Sequence, residues 1–298
     1  MAIINKKGFV SGLVGNVVFR ESEGKQVVQT RPPGGKQARR KQTEETKLSG
    51  KEFGLASSAG AEVRRFMQSV YFGADSRLDS RLTGAIRAAL RGSSTLAAGQ
   101  RDLHDADLSV LEGFEFNVNS PLSRVLPGFP QVHFEPDDLF EVEVPSFDGD
   151  KIFHYPNTSL IRELDVTLNI VIFAFNFRMG FSQLIECYLL PVTRGRNSGE
   201  VLKCDKVLPA GSLVLTLASL HYHRSVGSGK NYIINSKNFS PSAIISAFHV
   251  PSNYLEHKAS SLSLKEPVLQ PSKMYRYKGN SILEQIRNKR NGDKDALT

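Results

Sequence analysis

Apolar and polar positions fall into two regimes along the chain, with the change near Gly113. Before it, Phe53, Ala56, Val63, Phe66, Met67 and Val70 recur at helical spacing behind Ser49-Gly-Lys-Glu52, which fits a capping box, and predict a helix to about Tyr71. A second helix is predicted from about Ser76 to Arg91, with Leu78, Leu82, Ile86, Ala89 and Leu90 on one face. Beyond Gly113 the period becomes alternating. Strands are predicted at 139–144, 164–177, 184–190, 212–223, 232–234 and 243–250, separated by turn-rich stretches such as Arg194-Gly-Arg-Asn-Ser-Gly.

Residues 14–31 read as a β-hairpin about a Ser22-Glu23-Gly24 turn, where Gly24 supplies the positive φ of a short loop. A lone hairpin is marginal in water, so it must dock on the body of the chain or on another subunit. Arg31-Pro-Pro-Gly-Gly-Lys-Gln-Ala-Arg-Arg-Lys-Gln follows and breaks regular structure, which makes it an exposed basic linker. The expected organisation is a hairpin and basic arm over 1–42, a helical region over 43–112, an antiparallel β-sandwich over 113–258, and a loosely held polar, basic tail over 259–298 with a short helix near Ser281–Arg290. The fold class is therefore α+β, the β part Ig-like.

With 298 residues the chain is long enough for one large or two ordinary domains. It lacks the apolar run of a membrane-spanning helix, and its glycine-interrupted N-terminus lacks the form of a secretory signal. Two cysteines, Cys187 and Cys204, make no disulfide framework and fit a reducing compartment, so a cytoplasmic or virion setting is expected.

Charge is what separates the functional classes. The net +8 hides blocks of about +10 over residues 1–101, −11 over 102–190 and +9 over 191–298. A uniformly basic nucleic-acid binder would not gather fifteen carboxylates in its middle third, whereas a protein docking on itself or on a charged partner uses both signs. On this reading Arg39, Arg40 and Lys41 of the arm meet Asp137, Asp138 and Glu141 on another subunit. The rival reading is nucleic-acid binding by Arg77, Arg81, Arg87 and Arg91, which share an arc of the second helix opposite its Leu face, together with the basic linker.

Motifs for catalysis are not found. Gly35-Lys36 and Gly229-Lys230 fail as phosphate loops, because Thr30 and Arg224 stand where glycine is required and Gln37 and Asn231 where Ser or Thr is required. Neither G-x-S-x-G nor H-E-x-x-H occurs. His221 and His223 share one face of a predicted strand and would need a third ligand, His249 or Cys204, that spacing does not place. The acidic stretch of Glu135, Asp137, Asp138, Glu141, Glu143, Asp148 and Asp150 lacks calcium-loop spacing and reads as an acidic loop and strand edge. No metal, no cofactor and no enzymatic activity are expected.

The N-terminal pattern, Gly12-x-x-Gly15-Asn16-Val-Val-Phe-Arg20, then Gly24-Lys25-Gln-Val-Val-Gln-Thr-Arg31-Pro32, Lys41-Gln42-Thr43 and the Phe53 helix, resembles a group of uncharacterised bacterial and phage-like proteins. The resemblance covers about the first seventy residues. It implies a structural or assembly role and brings no catalytic residues with it.

Overall fold

A computed structural model describes residues 2–22, 24–31, 42–68, 70, 72–93, 96–135, 140–153, 164–226, 230–254 and 265–285. The chain divides into two compact units, Met1–Thr46 and Lys47–Thr298, with the break in the first turn of helix α1 (Glu44–Met67).

In the first unit the hairpin is part of a larger element. Strands β1 (Ala2–Ile4), β2 (Val10–Val14), β3 (Val17–Ser22) and β4 (Lys25–Thr30) form a four-stranded antiparallel meander in sequential order. Ser22 pairs with Lys25 across a short turn, where Gly24 has φ 72°. The β2–β3 turn is two residues, Gly15-Asn16, with Gly15 at φ 57°, a conformation glycine adopts without strain.

The second unit is built on one large antiparallel sheet. Its helices and small elements before the sheet are α1, α2 (Leu78–Gly92), a 3-10 turn at Leu108–Leu111 and α3 (Leu122–Val125). Strands β5 (Gln131–His133), β6 (Phe140–Val144) and β7 (Phe147–Asp148) and the short α4 (Gly149–Phe153) follow. The sheet's long strands are β8 (Leu164–Asn176), β9 (Phe181–Val192) and β12 (Leu213–Val226). Between them lie β10 (Arg196–Asn197) and β11 (Glu200–Cys204), and after them β13 (Lys230–Ile233), β14 (Ser242–His249) and β15 (Ser272–Lys273). β12 pairs with β8 along one edge and with β14 and then β13 along the other, while β9 lies between β8 and β15. β5 and β11 flank β6 in a separate three-stranded sheet, and β7 pairs with β10.

Alternation along β8 divides the core in two. Val171, Phe173 and Phe175, with Phe177 beyond the strand end, pack with Leu55, Ala59, Val63 and Met67 of α1 and Leu82, Ile86 and Leu90 of α2. Val166, Leu168, Ile170 and Ile172 face the other way, toward Phe140, Val142 and Val144 of β6 and Leu202 and Cys204 of β11. The large sheet is thus covered on both faces, by helices on one and by the small sheet on the other. A strand buried on both faces loses its polar alternate positions, which is why residues 170–177 carry only Asn176 as a polar residue.

The Ig-like sandwich expected over 113–258 is met in its antiparallel pairing, and the arrangement around it differs. The large sheet curls as a half-barrel. Two register shifts lie side by side at its middle, between Ile172 and Phe173 of β8 against β9 and between Thr216 and Leu217 of β12 against β14. Thr216 pairs with Ile172, so the irregularities reinforce one another, and bulges increase local twist. The helices share a core with the strands, so 47–298 is one compact unit. Residues 265–285 are not loosely held: Met274 and Leu283 are buried against the helices, and Asn280 Nδ2 donates to the Phe177 and Arg178 carbonyls at 3.0 and 3.1 Å. Residues 279–285 are helical, which places the expected short C-terminal helix on that core.

Candidate functional site

Among the described residues of its unit the N-terminal sheet is a single layer, and none of its described residues is buried. Cross-strand partners share a face, so Ile4, Val10, Val14, Val17, Phe19 and Val28 line one side, and the partners Glu21 and Gln26 lie at its rim. Ile4 is 70% exposed, Val14 53% and Val28 57%. The opposite side carries Ile3, Leu13, Val18 and Val27 together with Ser11, Arg20, Ser22, Lys25 and Gln29, and is the more polar.

Side chains lock the polar end of this sheet. Asn5 Oδ1 accepts from the Lys7 and Phe9 amides at 3.0 and 2.9 Å, closing the β1–β2 turn, and its Nδ2 donates to Glu21 Oε2 at 2.8 Å. Gln26 reaches across from β4, accepting from the Val10 amide at 2.7 Å and donating to the Val10 carbonyl at 2.9 Å. Its amide thereby takes the place of a missing strand partner. The sequence signal for β1 and β2 was the run of Gly8, Gly12 and Gly15, which suggests a tightly folded backbone without saying what pairs; Gly8 and Gly15 lie in turns and Gly12 within β2.

Of the arm-to-acid contacts expected from sequence, Arg39, Arg40, Lys41, Asp137 and Asp138 lie outside the described residues. Glu141 is on the outer face of β6, where its Oε1 accepts from Lys203 Nζ of β11 at 2.9 Å. Glu143 beside it lies 3.6 Å from His133 of β5. Of the carboxylates on this face, Glu141 therefore already has a cation, Lys203, from the neighbouring strand.

The arginine arc of α2 is not a free set of cations. Arg81 forms an ion pair with Asp75, donates to the Glu115 and Phe116 carbonyls at 2.7 and 3.3 Å, and lies over the Phe114 ring. Burial raises the Asp75 carboxyl, but hydrogen bonds from the Arg77 amide and the Arg81 guanidinium outweigh it and hold the group below its usual range. Arg87 donates to Ser49 Oγ at 2.7 Å. Arg91 is exposed at the last turn, and Arg77 stands just before the helix.

His221 and His223 do share a face of β12, their ring centroids 6.3 Å apart. His221 Nε2 lies 2.6 Å from the Val70 carbonyl, and its Nδ1 contacts Asn169. Neither suggested third ligand is at hand. His249 pairs across from Leu213, eight residues along β12, or about 27 Å at 3.4 Å per residue. Cys204 belongs to the core on the opposite face of the sheet. Among the described residues no three His, Cys, Asp or Glu gather as a metal site.

A cluster that the sequence reading did not single out lies at the β8–β9 turn. Arg178 donates to Asp102 Oδ2 from Nε at 3.3 Å and from Nη2 at 3.1 Å, and reaches Asp105 at 3.3 Å. The Arg178 amide donates to His104 Nε2 at 3.1 Å. Burial pushes His104 down to about 4, with the nearby Arg178 charge acting in the same direction and the Asp102 carboxylate opposing. Burial and the adjacent Asp102 push Asp105 up, while Asp102 is held down by its hydrogen bonds and Arg178 in spite of burial. These groups hold one another and tie the turn to the 102–106 loop. A groove of about 300 Å³ opens beside β10, lined by Val144, Phe147, Leu168, Pro191, Arg196 and Glu200. Thr193, Asn197 and Ser198 line it as well, so its wall mixes polar, charged and apolar groups in about equal measure.

Comparison with known protein families, with curated proteins and with solved structures finds no match.

Proposed function

We propose that this chain is a non-enzymatic assembly protein whose N-terminal unit docks on another chain. The observation that carries the reading is the apolar face of Ile4, Val10, Val14, Val17, Phe19 and Val28 in a unit whose described residues form a single sheet layer. A sheet must bury its apolar face against another layer, and the described residues of this unit do not supply one. The basic stretch behind it, with Arg39, Arg40 and Lys41, supplies charge that complements carboxylates such as Asp137, Asp138 and Glu141 on the receiving subunit. The motive for placing such an assembly in a virion is the resemblance, in sequence pattern alone, of the first seventy residues to uncharacterised bacterial and phage-like proteins. A nucleic-acid role has less to stand on, since Arg81 and Arg87 already bind their own chain.

Deleting residues 1–42 tests the reading by mass in solution across concentration and salt. Loss of oligomers with an unchanged melting temperature of the remaining body supports it. A lowered melting temperature with no change of mass would show the arm folded on its own body. Monomers for both proteins at every salt would end the proposal.

A further inference from the structure

The Arg194–Gly199 turn, which the sequence marks only as a break between strands, is a built structure. Asn197 holds it together: its Oδ1 accepts from the Thr193 amide at 2.9 Å, and its Nδ2 donates to the Thr193 and Gly195 carbonyls at 2.8 and 3.2 Å. The turn sits on the start of α4, where the Gly149 amide donates to the Gly195 carbonyl at 2.7 Å and a Cβ on Gly149 would run into the Thr193 carbonyl. A loop fixed in this way is ordered before anything binds to it, which lowers the entropy that a ligand must overcome.

This turn carries two opposite charges into the groove beside β10. Arg196 and Glu200 are exposed, and among the described residues neither side chain has a hydrogen-bond or ion-pair partner. Asp148, directly across from Arg196, instead accepts from the Asp150 amide at 3.1 Å, and the neighbouring Arg194 lies over the Phe153 ring. Arg196 and Glu200 do not close on one another, yet both line one cavity of about 300 Å³, which is about 7 Å across if equally wide in all directions. One small molecule can therefore reach both. Val144, Leu168 and Leu190 give the same cavity an apolar wall.

These three features select a ligand class. A carboxylate suits the planar fork of Arg196, an ammonium suits Glu200, and a short apolar group suits the wall. A simple fatty acid would leave Glu200 unmatched and set a second anion beside it, and a simple amine would do the same to Arg196. We propose that the groove binds a free α-amino acid with an aliphatic or aromatic side chain, its carboxylate on Arg196, its ammonium on Glu200 and its side chain on Val144, Leu168 and Leu190. The site lies wholly within Lys47–Thr298 and does not depend on the assembly reading.

Ligand-observed NMR titration of the full-length protein tests this with L-leucine and L-phenylalanine. The controls are glycine, 4-methylpentanoate, which is leucine without its ammonium, and 3-methylbutylamine, which is leucine without its carboxylate. L-Leucine or L-phenylalanine should bind saturably with a Kd of about 1 mM or below, and each control about tenfold more weakly. Arg196→Gln should bring leucine down to the level of the amine without changing the amine, and Glu200→Gln should bring it down to the level of the carboxylate without changing the carboxylate. Both positions are exposed, so melting temperatures of the variants should match the parent and show that folding is intact. Leucine binding that survives both substitutions would place the ligand elsewhere. A control that binds as tightly as leucine would remove the contact it lacks, and no saturable binding of either amino acid up to about 20 mM would overturn the proposal outright.

Discussion

The Arg81 guanidinium donates to the Glu115 carbonyl at 2.7 Å, joining the exposed face of α2 to the segment that adds to the edge of β14. Helical periodicity assigned Arg81 to solvent, and its side chain is only 26% exposed. Its head group completes a buried corner with Asp75, Phe114 and Phe116. Arg81→Ala should therefore cost about 2 kcal/mol, the usual loss for hydrogen bonds from a charged donor to partly buried acceptors. Arg91→Ala, at an exposed position on the same arc, should change stability by less than about 0.5 kcal/mol. Urea unfolding of both variants checks the contrast, and equal effects would mean that Arg81 is not a clamp.

The same residue shows how far the sequence could be read. A helix has one period, and that period correctly put Leu78, Leu82, Ile86, Ala89 and Leu90 in the core. It has no information about a carbonyl thirty-four residues away. Ser49 and Glu52 illustrate a local signal with a non-local use: α1 begins earlier, where Thr43 Oγ1 accepts from the Thr46 amide at 3.2 Å, and Glu52 is buried to accept from the Gly99 amide at 2.7 Å. The long strands β8, β12 and β14 were legible because they are apolar and β-branched. β11 was not, since Glu-Val-Leu-Lys-Cys buries only Leu202 and Cys204 and is a strand because β6 pairs with it. In the N-terminal sheet the Gly24 turn was legible, while the pairing of β1 and β2 depends on the Asn5 and Gln26 side chains.

His104 makes stability depend on mild acid. Its folded-state value of about 4 is below the ordinary 6.5, so between these values the unfolded chain takes up a proton that the folded chain refuses. Stability from this group is complete above about pH 6.5 and declines as pH falls toward 4, by an amount on the order of 1–3 kcal/mol. Asp102, held below its usual range, loses its contribution further down as pH falls through its folded value, and Asp105, pushed up, acts in the opposite sense. His104→Gln should flatten the fall in unfolding free energy between pH 7 and 4.5. Identical slopes for the two proteins would remove His104 as the cause.

The two thiols should differ in kind. Cys187 is exposed on β9 and Cys204 is buried on β11. Burial raises both, Cys204 to about 11, and the Glu186 carboxylate adds to the rise at Cys187. A disulfide reagent should modify one thiol per chain in the folded protein, slowly near neutral pH and faster as pH rises, and the second only after denaturation. Two equally fast thiols, or a Cys187→Ser protein that still reacts while folded, would contradict this placement.

Charge and burial in the proposed assembly are separable by salt. Contacts between arm cations and carboxylates are exposed and screened, with a Debye length of about 8 Å at physiological ionic strength, whereas the apolar face of the N-terminal sheet is insensitive to moderate salt. Reversing Arg39, Arg40 and Lys41 together to Glu should slow association by roughly tenfold at low salt and leave little difference at about 0.5 M. Val28→Arg should instead abolish association at every salt concentration, because the lost contact is burial. Stopped-flow mixing or concentration-jump sedimentation across ionic strength measures both. A triple variant that associates at the parental rate at low salt would show that the arm carries no steering charge, and association would then rest on the Val10, Val14, Val17, Phe19 and Val28 face alone.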